Sequence, residues 1–364
     1  MAEQANAAVR ISGADHSSWN GRLGVTAPDR KVRGAVTWNN TIEYNDAKVS
    51  VPLKEMFDNA RVYNQDPETL QSYRDAVKTV LHENTHVLAA EGTSHSDAKD
   101  AFQNPSVQAL EEGVTEVYSY NNLNSYIDDL GLEEIAPGIS SAEANRSYKE
   151  YTPAAQAFTN GIGRDTGLGG QEVVRRMAVV NAEQKFRVAA ETLYDNSDLP
   201  GIVPDQEREA ALQQIETSMR GPFEPLKDLD KSDDQQLRRA SAKAGGLAYD
   251  AAVDQVEAIR TQWTAPQQSQ RVERQTDRGV QQGAQQSTTN DRAQQQASTG
   301  RGSPQGGGDP GQAQRPQELD HAMRAGLSGT APMASAKPLG ADQQGSRRSG
   351  SQTGQQRQGP ERES

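Results

Sequence analysis

The sequence predicts an α+β protein that is mainly helical, with a small N-terminal sheet and a disordered C-terminal tail. β-type residues cluster between residues 31 and 51, and apolar residues recur with helical spacing from residue 66 to residue 263. From about residue 264 onward the chain has no tryptophan, tyrosine, phenylalanine or isoleucine. We therefore expect a flexible segment at 1–25, one domain at 26–263 and a disordered tail at 264–364.

The N-terminal part is predicted to contain a loosely held segment and a β-hairpin. Residues 1–25 are polar and carry no strong periodic signal. Between Lys31 and Val51, the pair Asn39-Asn40 is typical of a turn between two strands. The β-type residues of these strands are Val32, Val36, Trp38, Ile42, Tyr44 and Val49.

Two helices are predicted in the middle of the domain. Asp66 is a good N-cap and Pro67 suits the first helical position, so a helix of about 25 residues should begin there and end near Gly92. Asn104 and Pro105 signal a second helix in the same way, and its apolar residues continue to about residue 131.

The rest of the domain is predicted to be helical. Helices are expected from Thr152, from residue 170 to about 194, from Pro204 to about Met219, and from Ser232 to Trp263, with a loop at 161–170. In the tail, Gln, Gly, Ser, Arg and Pro dominate, and such a segment cannot bury enough apolar surface to offset its conformational entropy. Residues 316–327 form a candidate docking motif for an unknown protein partner.

The segment His82-Glu83-Asn84-Thr85-His86 contains the pattern H-E-x-x-H within the first of the two central helices. Histidines at i and i+4 lie on one face of a helix, one turn apart. Both imidazoles can therefore reach one metal ion, with Glu83 beside them as a proton carrier.

A hydrolytic zinc site needs a third protein ligand, and the second central helix offers one. Glu112 and Glu116 are one turn apart on one face, so one carboxylate can bind the ion while the other supports a ligand histidine. Glu111 is a neighbouring candidate, and the choice among the three stays open from spacing alone. His95 and Asp97 are alternatives, although neither has the spacing of the other zinc-peptidase patterns.

Residues 79–118 resemble the gluzincin group of metallopeptidases, which pair H-E-x-x-H on one helix with a glutamate ligand on the next. Several members carry that glutamate in a segment like N-E-G-x-x-E-Y, and this chain reads E-E-G-V-T-E-V-Y at 111–118. The resemblance implies a zincin-like fold and Zn²⁺ held by His82, His86 and Glu112. It also implies Glu83 as the general base and Glu116 as the support of a ligand histidine.

The function that follows is zinc-dependent hydrolysis of peptide bonds in a peptide or protein substrate, with a zinc-bound water as nucleophile and Glu83 as general base. The oxyanion needs a further hydrogen-bond donor. Because His321 lies in the tail, Tyr148 and Tyr151 are the candidates. The alternatives are a non-catalytic metal-binding or scaffold protein with the same fold, and a zinc hydrolase of another substrate class.

Composition bears on the partners, the kinds of site and the location that the protein can have. A formal net charge of −12 argues against non-specific binding of nucleic acid. There are no cysteines, which excludes a thiolate metal site and a cysteine nucleophile. We see no Sec-type signal peptide and no membrane-spanning stretch, so we expect a cytoplasmic protein, with secretion by a non-classical route left open.

Overall fold

A computed structural model describes residues 1–27, 30–63 and 66–297. Within these residues the chain is mainly helical with a small number of short strands, as the sequence predicts. The elements before the H-E-x-x-H segment and including it are α1 Ala2–Ser12, β1 His16–Ser17, β2 Leu23–Val25, β3 Gly34–Val36, β4 Ile42–Tyr44, a π-helical turn Asp46–Ser50, α2 Val51–Tyr63 and α3 Pro67–His86. The strand and the α-helices that follow are β5 Leu88–Ala89, α4 Pro105–Asn121, α5 Leu123–Asp129, α6 Leu132–Ile135, α7 Thr152–Thr166, α8 Gly170–Ala178, α9 Lys185–Asp195, α10 Leu199–Ile202, α11 Arg208–Arg220 and α12 Asp234–Ala297.

The prediction of a loosely held segment at 1–25 is wrong for its first half. Residues Ala2–Ser12 form α1, and Ala7 and Ala8 are fully buried where this helix packs on α3. Alanine lets two helices approach closely without adding much hydrophobicity to the sequence. A search for large apolar residues therefore does not detect the packing face of α1.

The main sheet has three strands in the order β2-β4-β3. β3 and β4 form the predicted antiparallel hairpin, with Asn40 in the turn at a φ of 63°, a left-handed conformation that asparagine tolerates. β2 pairs in parallel with β4 on the other side. Among the described residues β3 is thus an edge strand, and it lies against α3.

Helix α3 begins as predicted but ends earlier. The Asp66 side chain accepts a hydrogen bond from the Thr69 backbone N–H at 3.1 Å, and Pro67 occupies the first turn. The helix ends at His86 rather than near Gly92. The reason is a long-range pairing: Leu88–Ala89 leaves the helix to pair antiparallel with β1.

Helices α3 and α4 join two apolar cores. One core surrounds α3 and includes Leu81, Met56 and Ile127, while the other surrounds α4 and includes Phe158 and Phe186. The predicted cap of α4 is confirmed, because the Asn104 side chain accepts a hydrogen bond from the Ser106 N–H at 2.9 Å. The two helices contact each other, so side chains on their facing sides are enclosed by both cores.

Three C-terminal boundaries differ from the prediction. The expected loop at 161–170 is mostly helix, since α7 runs to Thr166, and the expected helix at 170–194 is divided into α8 and α9. Helix α12 runs to Ala297, past the helix end predicted at Trp263, and the tail predicted from residue 264 stays a prediction. Residues 298–364, with the candidate docking motif, lie outside the described residues. No helix of the described chain has the length and apolar character needed to cross a membrane.

Candidate metal centre

His82 and His86 lie one turn apart on the buried face of α3. Their Nε2 atoms are 3.1 Å apart, and both side chains are more than nine-tenths buried. Each Nδ1 faces a carboxylate of α4, so in the neutral imidazole the proton is favoured on Nδ1 and the lone pair on Nε2. Two lone pairs therefore point toward one spot.

Glu112 brings a third electron-rich atom to the same spot. Its Oε2 atom lies 3.5 Å from Nε2 of His82 and 3.6 Å from Nε2 of His86. This oxygen is buried, and among the described residues it has no hydrogen-bond partner. A buried acceptor without a donor is costly, and a cation between the three atoms would satisfy this oxygen together with both Nε2 lone pairs. His82, His86 and Glu112 therefore form a buried cluster that could hold a metal ion.

The spacing of these three atoms suits a small ion with tetrahedral coordination. With metal–ligand bonds of about 2.0–2.1 Å, two ligand atoms of a tetrahedral zinc site lie about 3.3 Å apart. The three separations in the cluster bracket this distance. Imidazole and carboxylate donors in this number are also the set used by hydrolytic zinc sites.

Glu111 and Lys185 support His86 on the Nδ1 side of its ring. Glu111 Oε1 lies 2.7 Å from His86 Nδ1, and the Lys185 ammonium lies 3.1 Å from Glu111 Oε2. Lys185 also donates hydrogen bonds to the carbonyls of Met177 and Val180 at 2.7 and 3.0 Å. Only 1% of its side chain is exposed, so this row of groups ends inside the helical core.

On the other side of the cluster, His82 faces Glu116, which in turn pairs with Lys78. Glu116 Oε2 lies 3.2 Å from His82 Nδ1, although the contact is not aligned as a hydrogen bond. The other carboxylate oxygen accepts hydrogen bonds from Lys78 Nζ at 2.5 Å and from the Ser147 N–H at 2.7 Å. Lys78 also donates to the Asn145 carbonyl at 2.5 Å.

The protonation of these groups follows from their pairing. Burial alone would lower the pKa of His86, but the carboxylates of Glu111 and Glu112 outweigh it and raise that pKa well above its ordinary value. Burial opposes ionisation of Glu111, yet Lys185 and His86 lower its pKa to about 2. Burial also opposes ionisation of Glu116, yet His82 and Lys78 lower the pKa of this carboxyl to about 2. Glu111 and Glu116 therefore stay ionised behind the two histidines, which favours positive charge on or between the imidazoles.

Glu83 is buried beside the cluster and touches the edge strand. A Cβ atom at Gly34 would lie 2.5 Å from Glu83 Oε1, so only glycine leaves room for this carboxylate. Burial raises the pKa of Glu83. Both residues line a cavity of about 310 Å³, whose other lining residues are Lys31, Val32, Arg33, Lys48, Lys78, Thr79, His82, Glu116, Ser147 and Tyr148.

Of the two tyrosine candidates, Tyr148 reaches the site. Its ring stacks on His82 with centroids 5.3 Å apart, and its backbone has a φ of 50°, which is rare for an aromatic residue. Hydrogen bonds from the Asn145 N–H to Asp75 and from the Ser147 N–H to Glu116 hold this segment in place. Tyr151 packs behind it in the apolar core and does not line the cavity.

The alternative ligands lie elsewhere. His95 stacks on Trp38 with ring centroids 4.7 Å apart, and its own centroid is 6.4 Å from that of His86. Burial lowers its pKa to about 4. Asp97 accepts a hydrogen bond from the Ser94 N–H at 2.8 Å and so closes a local turn. Neither residue belongs to the metal-binding cluster.

Sequence reasoning missed the two lysines and the support that Glu111 gives to His86. One signal was present, because Lys78, His82 and His86 follow each other at intervals of four residues and share a helix face. Lys185 offers no such signal, since nothing local shows that residue 185 will meet residue 111.

No family model, no curated protein and no solved structure matches this chain. The metal-binding cluster is therefore supported by its own geometry: three converging donor atoms, their burial and their supporting contacts. The likeness of residues 79–118 to gluzincins stays an expectation from sequence.

Proposed function

We propose that this chain is a zinc-dependent peptidase of the gluzincin type with a zincin-like fold. In this proposal His82, His86 and Glu112 hold the ion, and Glu83 is the general base. The observation that carries it is the convergence of three buried acceptor atoms, 3.1 to 3.6 Å apart, beside a buried carboxylate that borders a cavity. Zinc is favoured among divalent ions because two imidazoles and one carboxylate match its preferred hydrolytic donor set.

Glu83 has the surroundings that a proton carrier needs. A bound zinc ion would supply Lewis acidity, which polarises a carbonyl and makes water a better nucleophile at neutral pH. Glu83 would take a proton from the attacking water and pass it to the leaving amine. Its raised pKa brings the carboxylate closer to the working pH, which favours transfer in both directions.

Tyr148 is the proposed oxyanion stabiliser. It lines the cavity, and its hydroxyl stays protonated because burial and the carboxylates of Glu112 and Glu83 raise its pKa. A neutral O–H can donate a hydrogen bond to the oxygen on which negative charge develops. The unusual backbone conformation of Tyr148 supports a functional role, since such strain is retained mostly at active sites.

The free edge of β3 is the proposed platform for the substrate backbone. An extended peptide can add to such an edge through main-chain hydrogen bonds. Gly34 belongs to this strand and touches Glu83, so a peptide lying along β3 would pass the general base. In the alternative, the hairpin only caps the core. Substitutions in the candidate site, given next, test whether the chain cleaves peptides at all.

The decisive experiment compares wild-type protein with Glu83→Gln, Glu112→Ala and the control Glu55→Gln, an exposed glutamate on α2. Zinc content is measured by elemental analysis, and cleavage is measured on a diverse peptide mixture by mass spectrometry. We expect Glu112→Ala to lose zinc. Glu83→Gln should keep zinc but lose activity by about 10²–10⁴-fold, the usual contribution of a general base.

The alternative, a non-catalytic metal-binding or scaffold protein, gives a different result. Wild-type protein would then contain zinc but cleave nothing, and Glu83→Gln would behave like Glu55→Gln. Failure of wild-type protein to take up zinc, even when refolded with it, would contradict the peptidase and any metal-binding role, and would leave only a metal-free scaffold protein.

A further inference from the structure

The cavity beside the candidate metal centre has an unusually basic wall. Four of its lining residues are cationic: Lys31, Arg33, Lys48 and Lys78. The whole chain has a formal net charge of −12, so this concentration of positive charge runs against its composition. Two of the four are already engaged, because Lys78 pairs with Glu116 at 2.5 Å and Arg33 with Asp75 at 3.3 Å.

Lys31 and Lys48 are the two cations that remain. Both are exposed, and they are close together, because Lys48 Nζ donates a hydrogen bond to the Lys31 carbonyl at 3.2 Å. Among the side chains that the structure describes, neither lysine has a carboxylate at ion-pair distance. Their neighbours differ in this respect, since Arg30 lies 4.0 Å from Glu43 and Lys54 pairs with Asp58.

The position of these lysines relative to β3 defines what they can reach. Lys31 precedes Gly34 by three residues, and Lys48 follows β4 in the π-helical turn. Lys31 lies ahead of β3, and since an extended chain advances about 3.3 Å per residue, it is at most about 10 Å from the point where Gly34 meets Glu83. A peptide lying on β3 would bring a group two or three residues from its scissile bond to the lysines.

We propose that Lys31 and Lys48 bind a carboxylate of the peptide substrate within about three residues of the bond that is cut. This specificity rests on the proposed peptidase function. The carboxylate can belong to an aspartate or glutamate side chain or to the substrate's C-terminus, since both present the same charged group. Of the two acids of the wall, Glu116 is neutralised by Lys78, which leaves Glu83 as the one lining acid against Lys31 and Lys48.

The test measures affinity rather than turnover. Zinc-loaded Glu83→Gln protein is titrated by calorimetry with alanine-based hexapeptides that carry one glutamate or one glutamine at each position in turn. Each peptide is made with a free C-terminus and with a C-terminal amide, which separates the two sources of the carboxylate. We expect one placement of the carboxylate to bind about fivefold tighter than its neutral partner, as for one or two partly exposed ion pairs.

Substitution of the lysines should remove that preference. In Lys31→Met/Lys48→Met the charged and neutral peptides should bind within about twofold of each other, whereas Lys31→Glu/Lys48→Glu should favour the neutral peptide. The matched control is Lys54→Met/Lys99→Met, which changes the net charge equally at two exposed lysines outside the cavity. That control should keep the preference.

Three outcomes would overturn the inference: equal affinity for every charged and neutral pair, a preference that survives Lys31→Met/Lys48→Met, and no measurable binding of any peptide. A preference that requires zinc and survives the lysine substitutions would assign the carboxylate to the metal instead. If the predicted preference is found but wild-type protein cleaves none of these peptides, the peptidase proposal fails while the carboxylate site stands.

Discussion

Behind each of the two candidate ligand histidines lie a carboxylate and then a lysine, but the two sets have different surroundings. We call His86, Glu111 and Lys185 the inner arm, and His82, Glu116 and Lys78 the outer arm. Each consists of an imidazole, a carboxylate of α4 and a buried ammonium group. The inner arm ends among the carbonyls of the helical core, whereas the outer arm ends at the wall of the cavity.

This difference points to two separate tasks within the candidate metal centre. The inner arm has the better-aligned histidine contact, at 2.7 Å, and ties α3 and α4 to α9. The outer arm has a looser histidine contact, at 3.2 Å, and holds the backbone of Ser147 next to Tyr148. We infer that the inner arm mainly stabilises the fold and the bound ion, and that the outer arm mainly shapes the substrate side.

The largest expected effect is on folding stability when the inner lysine is removed. Lys185→Met leaves the Glu111 carboxylate buried without its cation, and such a broken pair costs about 3–5 kcal/mol. Lys78→Met should cost less, about 1–3 kcal/mol, because Glu116 keeps the Ser147 N–H and borders a cavity that water can enter. The free energies of unfolding of the metal-free proteins in urea test this order, and a larger loss for Lys78→Met would contradict it.

The next largest effect is expected on metal affinity, which should differ between variants of Glu111 and Glu116. Glu111→Gln and Glu116→Gln remove groups that orient ligand histidines, and such changes reduce metal affinity by about 10–100-fold. We expect the larger loss for Glu111→Gln, because its contact with the histidine is shorter and better aligned. Competition with a chromophoric zinc chelator measures both values. Equal losses would remove the distinction between the arms.

The pH dependence of the metal-free protein should reflect both arms together. The pKa values of Glu111 and Glu116 are lowered from 4.5 to about 2, so their contribution is present above pH 4.5 and is lost as the pH falls toward 2. The pKa values of His82 and His86 are raised above 6.5, so their contribution is present below pH 6.5 and is lost as the pH rises through the folded-state values.

Stability of the metal-free protein should therefore be greatest between about pH 4.5 and 6.5. Zinc should add more stability as the pH rises above this window, because it replaces protons on the imidazoles. Urea midpoints measured across the pH range, with and without zinc, test both statements. A stabilisation by zinc that is independent of pH would argue against ligation by these histidines.

The smallest expected effect is a loss of folding stability that concerns both arms equally. Asn104→Ala removes the N-cap of α4, the helix that carries all three glutamates, and should cost about 1 kcal/mol of stability. Gln103→Ala, at the exposed residue before it, is the control. The ratio of zinc affinities between Glu111→Gln and Glu116→Gln should not change in an Asn104→Ala background. A change in that ratio would show that the arms do not share α4 as a rigid support.

Local signals predicted the parts of the fold that depend on local chemistry. Caps and prolines gave the starts of α3 and α4, and the Asn39-Asn40 turn gave the β3–β4 hairpin. The end of α3 and the parallel pairing of β2 depend on partners distant in sequence, which no short window contains. Helix α1 was missed because its packing uses alanine, whose burial leaves little trace in hydropathy.

The same limit applies to the candidate site. Spacing on one helix brought His82 and His86 together, and the resemblance selected Glu112, whose Oε2 atom does meet them. The inner lysine could not be found this way, because Lys185 meets Glu111 only through the packing of α9. A lysine in isolation is also more typical of a surface than of a core.

Gly34 shows a conflict between a strong strand and the proposed chemistry. Glycine weakens a strand, and valine or isoleucine would normally be the better choice for an edge such as β3. At this residue, however, even the first carbon of a larger side chain would occupy the volume of the Glu83 carboxylate. A larger residue at 34, introduced to strengthen the strand, should therefore displace Glu83 and remove the activity proposed for that carboxylate.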